Sequence, residues 1–93
     1  MDNEKIRKLI NDVGMKIFVK YYDVFKQGDR AKAIESITEP FTEKSKGTRT
    51  SKAMKIFDEK LNLEVLELIL SSNRAEDWVI KKAQELLALE REV

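Results

Sequence analysis

Apolar residues recur every three or four positions along most of this chain, and this period predicts helices rather than strands. The longest uninterrupted repeat occupies the first 26 residues, and comparable spacing returns over 52–71 and 74–91. No segment of useful length shows the strict alternation of apolar and polar residues that a half-buried strand requires. The pattern therefore predicts an all-α protein.

Capping and helix-breaking residues divide this pattern into separate elements. Gly28 is placed to end a first long helix, Asp29 to cap a second, and Pro40 to begin a short third one. The predicted fold is a compact bundle of five or six helices with one long N-terminal helix, forming a single domain over residues 1–93. The predicted helices span residues 3–26, 30–37, 40–45, 52–60, 63–71 and 74–91. The predicted core centres on Ile10, Val13, Ile17, Phe57, Leu66, Ile69, Val79 and Leu86.

Two residue types are absent from the 93 residues, histidine and cysteine. Their absence excludes Ser–His and Cys–His nucleophile pairs as well as imidazole and thiolate metal sites. The carboxylates show no calcium-loop spacing, and no glycine-rich nucleotide-binding motif occurs. We therefore predict a protein that is not an enzyme and that has no cofactor and no metal site.

The location is predicted from the same absences. A chain without cysteine has no disulfide framework of the kind that secreted small domains use. The N-terminal residues lack the apolar run of a signal peptide, and no segment is apolar enough to cross a bilayer. We expect a cytoplasmic protein that does not bind membranes.

Residues 44–60 are the most basic part of a chain whose net charge is only +1. Within them, residues 45–51 contain glycine, hydroxyls and cations but no apolar residue, which predicts a loop before a helix that Thr50 or Ser51 caps. A helix start favours anions, so this segment is a candidate contact for phosphate or nucleic acid. The alternative is a solvated loop that only caps a helix. The candidate contact residues are Lys44, Lys46, Arg49, Lys52 and Lys55.

The predicted helices at 30–37 and 52–60 flank this basic loop and give a loose likeness to a DNA-binding helix-turn-helix. The connection between them is longer than the three to four residues that this motif normally uses. Ordinary helix packing is the competing interpretation.

The predicted N-terminal helix carries more apolar residues than one core-facing stripe needs. An apolar excess of this kind usually meets another surface, which predicts an interface and a homodimer through this helix. Trp78 has two interpretations, because tryptophan is common both in small cores and at interfaces. The candidate interface residues are Met15, Phe18, Val19, Tyr22 and Phe25.

These observations together predict a non-catalytic helical domain that acts through protein–protein interaction, with another protein or a second copy as its partner. The alternative is a nucleic-acid-binding domain, specifically a DNA-binding one, that uses the basic residues 44–60. The sequence alone names no partner.

Overall fold

Helices make up most of the part of the chain that the computed structural model describes, residues 3–92, and no strand occurs there. The all-α prediction is confirmed. The prediction of five or six helices with one long N-terminal helix is wrong, because the first 27 residues contain three helices. The elements of the described part are α1 (Asn3–Val13), α2 (Met15–Lys20), α3 (Tyr22–Gln27), α4 (Arg30–Ser36), α5 (Glu43–Asp58), α6 (Asn62–Leu70) and α7 (Asp77–Arg91).

The first break in the predicted long helix lies at Gly14, whose φ of 93° and ψ of 129° are incompatible with a helix. The guanidinium of Arg49 approaches this point and its Nη1 donates a hydrogen bond of 2.8 Å to the carbonyl oxygen of Val13. A carbonyl left without a helical partner is thus satisfied from a distant helix. A side chain at position 14 would bring its Cβ to 3.1 Å from Arg49 Nη1, so glycine suits both the backbone and the contact.

The second break lies at Tyr21, where φ is −110° and ψ is 22°. The Tyr21 hydroxyl accepts a hydrogen bond from the backbone N–H of Thr38 at 3.1 Å and donates one of 2.7 Å to Glu39. These bonds hold the extended segment between α4 and α5 against the N-terminal helices. The predicted short helix over residues 40–45 is wrong, since α5 begins only at Glu43.

Helix α5 runs straight through the segment that was predicted as a loop. Thr42 caps it, with its side chain accepting from the Ser45 N–H at 3.1 Å. Residues 45–51 are therefore the second and third turns of a 16-residue helix, and the predicted cap at Thr50 or Ser51 is wrong. The predictions for α4, α6 and α7 agree with the structure to within one to three residues at each end.

The two breaks send successive parts of the N-terminal region to different neighbours. Helix α1 packs against α5 and α6, α2 against α7, and α3 against α4 and α5, while α6 and α7 pack against each other. The resulting body measures 30 × 29 × 26 Å. No helix within residues 3–92 is both long and apolar enough to cross a membrane.

The predicted core residues are buried, apart from Phe57 at the edge of the core. The ring of Phe57 is stacked on Phe18, with 5.7 Å between their centroids, and meets Tyr22 edge-on at 4.9 Å. Two large apolar side chains of α7 lie outside the core, since Trp78 is 44% exposed and Leu89 is 60% exposed.

The premise of the predicted N-terminal interface is wrong. Phe18, Val19, Tyr22 and Phe25 are all buried inside this one chain, because the breaks around them turn the helices and let every side face a neighbour. Only Met15 among the five is partly exposed. The predicted homodimer therefore lacks the exposed apolar surface from which it was inferred.

Candidate functional site

An open groove of about 790 Å³ lies between the start of α2, the segment before α5, and the start of α7. We call it the Trp78 groove. It forms where the chain turns at Gly14 and where α7 begins, so residues distant in sequence share its walls. Its apolar lining consists of Met15, Ile17, Phe41, Ala75, Trp78 and Val79.

Four of the charged side chains that line the groove form two ion pairs. Lys16 Nζ lies 2.9 Å from Glu76, and Lys20 Nζ lies 2.8 Å from Glu39. The hydrogen bond from Lys16, followed by that from Trp78, holds the pKa of the Glu76 carboxyl below its usual value. Both carboxylates in the lining are thus already neutralised by lysines.

Glu39 is held in the same way as Glu76. The hydrogen bond from Lys20 is the main cause that lowers the pKa of the Glu39 carboxyl, and the Tyr21 hydroxyl adds to it. The reciprocal bond raises the pKa of the Lys20 ammonium. At neutral pH both partners are charged, so this pair closes one end of the groove without adding net charge.

Two arginines complete the charged lining, and they differ in what they contact. The Arg49 guanidinium lies 4.0 Å above the ring centroid of Phe41 and also bonds Ser45 and the Val13 carbonyl. Arg74 makes no ion pair or hydrogen bond through its side chain within residues 3–92. Among the described lining residues, Arg74 is therefore the cation whose side chain makes no ion pair, hydrogen bond or ring contact, and it lies beside an apolar surface.

Trp78 stands on the first turn of α7 with its indole partly in solvent. Its Nε1 donates a hydrogen bond of 2.7 Å to Glu76, which fixes the ring in place. The indole is 44% exposed and already held by a hydrogen bond. Covering it with a partner therefore costs the side chain little conformational entropy. Of the two interpretations of Trp78 from the sequence, the structure excludes the core.

The five predicted phosphate contacts do not gather at one point. All lie on α5, where Arg49 faces inward to the Gly14 turn and Lys46 is directed toward Glu43, at 3.9 Å. Lys52 lies 3.9 Å from Asp12 of α1. The predicted helix start at residue 52 is wrong, because α5 begins at Glu43, so that Lys44 and Lys46 lie in its first turn and the other three lie further along it.

A different arrangement appears on the outer side of α5. Lys44, Thr48, Ser51 and Lys55 are exposed and recur at intervals of four and three residues, which places them on one face of the helix. We call this face the basic stripe. Arg30 of α4 lies beside it, with its Nε donating to Ser51 at 3.1 Å and its Nη2 directed to the Gly47 carbonyl at 3.4 Å.

Sequence reasoning missed Phe41, Arg74 and Arg30 as surface-building residues. Phe41 belongs to the predicted helix over residues 40–45, which does not form, and the two arginines lie outside the basic run. No local pattern distinguishes them, since each acquires its position through a contact with a distant helix. Within residues 3–92, no three acidic side chains converge on a common point where a metal ion would fit.

Comparisons of this chain with profiles of known protein families, with curated proteins and with solved structures find no match.

Proposed function

We propose that this chain is a non-catalytic helical domain that binds a segment of a partner protein in the Trp78 groove. The observation that carries the proposal is the exposed, rigidly held indole of Trp78 at the edge of an apolar groove. The cytoplasm remains the proposed location, in keeping with a sequence that has no cysteine.

The groove has the properties of a protein-binding surface. Tryptophan is among the residues most often responsible for binding energy at interfaces, particularly where a pocket around it excludes water. The lining combines an apolar floor with a few fixed polar groups, which is the usual composition of a ligand site. Its two neutral ion pairs form a polar rim of the kind that surrounds the apolar centre of an interface.

The proposal is tested by selecting peptides from a random library displayed on phage, with the full chain as bait. Selected peptides are then labelled with fluorescein and titrated against the wild type and the Trp78→Ala variant by fluorescence anisotropy. Loss of a central aromatic anchor should weaken binding about 30-fold, which corresponds to about 2 kcal/mol. Trp78 is the only tryptophan, so its emission should also shift when a peptide covers it.

Leu89→Ala supplies the matched control. Leu89 is another exposed apolar residue on α7, but it does not line the groove. Its truncation should leave peptide binding unchanged. The proposal fails if no peptide is enriched, or if the selected peptides bind the Trp78→Ala variant as tightly as the wild type.

Nucleic-acid binding is the second candidate function, and the basic stripe is the observation that favours it. Cations and hydroxyls share one exposed face of the longest helix, and such groups contact phosphate oxygens in protein–DNA complexes. Two facts count against nucleic-acid binding: the stripe holds few cations, and the chain is nearly neutral. For this reason we place it second.

The stripe is tested with the Lys44→Gln/Lys55→Gln variant, which removes two cations from one helix face. Duplex DNA is titrated at several salt concentrations, beside a Lys81→Gln/Lys82→Gln control of equal charge. If the stripe binds phosphates, the salt slope of the wild type should exceed that of the variant by about two units, and the control should retain it. Absence of binding by the wild type at low salt would dispose of this candidate.

A further inference from the structure

A second, smaller cleft of about 360 Å³, whose lining contains no carboxylate, lies beside the Trp78 groove. Met15 and Arg74 line both cavities, so the two are direct neighbours. The second cleft, which we call the arginine cleft, adds Arg7 and Asn11 from α1 and the turn Ser71–Asn73 that leads from α6.

Both walls of the arginine cleft follow from local structure. Arg7, Ile10 and Asn11 are three and four residues apart on α1, so the arginine and the amide stand beside a buried isoleucine on one helix face. On the opposite wall, Ser71 Oγ donates to the Leu68 carbonyl at 3.0 Å and ends α6.

The position of Arg74 is fixed through its backbone. Its N–H donates a hydrogen bond of 3.2 Å to the Ser72 hydroxyl, which holds the turn after α6 in a defined shape. The residue lines both cavities. Its charge is therefore presented by an ordered turn rather than by a free loop.

The electrostatics of the two cavities differ. In the Trp78 groove each carboxylate is matched by a lysine, and Arg49 is engaged by the Val13 carbonyl, Ser45 and the Phe41 ring, so only the shared Arg74 is left without a side-chain partner among the described lining residues. In the arginine cleft Arg7 and Arg74 carry two positive charges, and neither side chain makes an ion pair or hydrogen bond within residues 3–92. The surrounding polar groups are the amides of Asn11 and Asn73 and two serine hydroxyls. Two guanidiniums with free donors beside such groups favour an anionic side chain.

We infer that the partner segment is an extended peptide with a large apolar side chain in the Trp78 groove and an anionic side chain between Arg7 and Arg74. This inference rests on the proposed function and specifies the chemistry of the partner. The apolar half supplies burial, and the two arginines select for charge. The asparagine amides of the cleft can pair with the peptide backbone, which otherwise loses its hydrogen bonds to water. The anion is the carboxylate of Asp or Glu, whose two oxygens match a guanidinium.

The test repeats the phage selection with the Arg7→Gln/Arg74→Gln variant as a second bait. Peptides enriched by the wild type should carry Asp or Glu at a fixed distance from an apolar residue. The variant should still enrich the apolar residue but lose the acidic one. A Lys32→Gln/Lys81→Gln control, which removes the same charge from exposed sites outside both cavities, should give the wild-type motif.

Individual peptides then separate the contributions. Replacing the acidic residue of a selected peptide by Gln should weaken binding to the wild type about tenfold, as expected for one charge-assisted contact, and leave binding to the variant nearly unchanged. Phosphoserine at the same position identifies the anion: tighter binding than the Glu peptide assigns the cleft to phosphorylated segments, and weaker binding assigns it to carboxylates.

The outcomes also distinguish this inference from the function on which it rests. Enriched peptides that depend on Trp78 but show no acidic preference would overturn the arginine cleft and leave the groove intact. Equal loss in the Lys32→Gln/Lys81→Gln control would reduce the effect to overall charge and overturn the inference as well. Failure of the wild type to enrich any peptide would overturn both.

Discussion

Two segments of this protein contain a glycine in the middle of a helical stretch, and the two glycines behave in opposite ways. Gly14 interrupts a helix that the apolar pattern predicts to be continuous. Gly47 lies inside a segment that composition predicts to be a loop, and it is buried in the uninterrupted helix α5. The local sequences predict the reverse of what forms.

An arginine from a distant part of the chain stands over each glycine, and the contact it makes differs. Arg49 takes the carbonyl of Val13, which a continuing helix would use for itself. Arg30 rests against the outside of α5, with Nη2 3.4 Å from the Gly47 carbonyl, and leaves the helix ladder intact. The first contact stabilises a break, and the second lets α4 approach a helix that has no side chain at that position.

These contacts connect residues 36 and 17 positions apart, respectively, so no window of local sequence contains them. The break at Gly14 has large consequences, because it turns α2 toward α7 and creates the depression in which Trp78 and Arg74 lie. Substituting each glycine therefore also tests whether the break at Gly14 creates the candidate site.

Gly14→Ala should produce the largest loss of stability. Alanine would have to adopt a φ of 93°, and its Cβ would approach Arg49 Nη1 to 3.1 Å. A strained backbone position of this kind costs about 3 kcal/mol at the upper end. Urea unfolding followed by circular dichroism measures the change in the free energy of unfolding.

Gly28→Ala is the matched control for Gly14→Ala. Gly28 also has a positive φ, 82°, but an added Cβ meets nothing within 4 Å, so the loss should be about 1 kcal/mol. Equal losses at both positions would show that the Arg49 contact contributes nothing to the break.

Because Tyr22 is buried in the N-terminal region, the free energy of unfolding should fall at alkaline pH. Burial raises the pKa of the Tyr22 hydroxyl from 10.0 to about 12, and the neutral hydroxyl accepts a hydrogen bond from Asn62 at 2.9 Å. The unfolded chain therefore loses this proton at lower pH than the folded one. The stabilisation is complete below pH 10 and disappears as pH rises through 12. Two pKa units correspond to about 3 kcal/mol.

Comparison of the wild type with Tyr22→Phe isolates this contribution from lysines that titrate in the same range. The free energy of unfolding is measured between pH 9 and 12, and the wild type should fall more steeply than the variant. Parallel curves would mean that Tyr22 is hydrated in the folded protein, contrary to its burial.

Arg49→Gln should destabilise the protein by about 2 kcal/mol, because the Val13 carbonyl loses its donor and the Phe41 ring loses its cation. Arg49→Lys should recover little, since an ammonium lacks the planar fork that serves both contacts.

Arg30→Gln is the counterpart at the other glycine and should cost less than about 0.5 kcal/mol, as is usual for an exposed side chain. If both arginine variants lose equally, the two glycine contacts do not differ in kind.

Much of the fold followed from the sequence because periodicity reports which residues are buried. Ile10, Val13 and Ile17 are buried as predicted, although they belong to two helices rather than one. A break of a single residue leaves the spacing of the apolar residues unchanged. The pattern therefore predicts burial correctly but does not show that the helix axis changes direction at the break. The bounds of α6 were predicted closely, since its apolar residues and flanking polar turns are local features.

The candidate site could not be predicted in the same way. The sequence left Trp78 between core and interface, because it lies one residue before the buried Val79 at the start of α7, where the periodic pattern is least defined. Arg74 and Phe41 border one groove only because the break at Gly14 places α2 between them. The basic residues all lie on α5, but Lys46 and Arg49 were predicted to lie on a loop because residues 45–51 contain a glycine and hydroxyls and no apolar residue.

Gly47→Ala should have the smallest effect of these substitutions, and its sign completes the comparison of the two glycines. Alanine in a helix interior is more stable than glycine by about 1 kcal/mol. The added Cβ would lie 3.0 Å from Arg30 Nη2, the mobile end of a long side chain that can shift while its Nε keeps Ser51. We expect a net change between about zero and 1 kcal/mol of stabilisation. In an Arg30→Gln background, where no guanidinium opposes the Cβ, the full gain should appear in urea unfolding. A loss comparable to that of Gly14→Ala would mean that Gly47 is as necessary to its helix packing as Gly14 is to its turn, and that the difference between the two segments lies elsewhere.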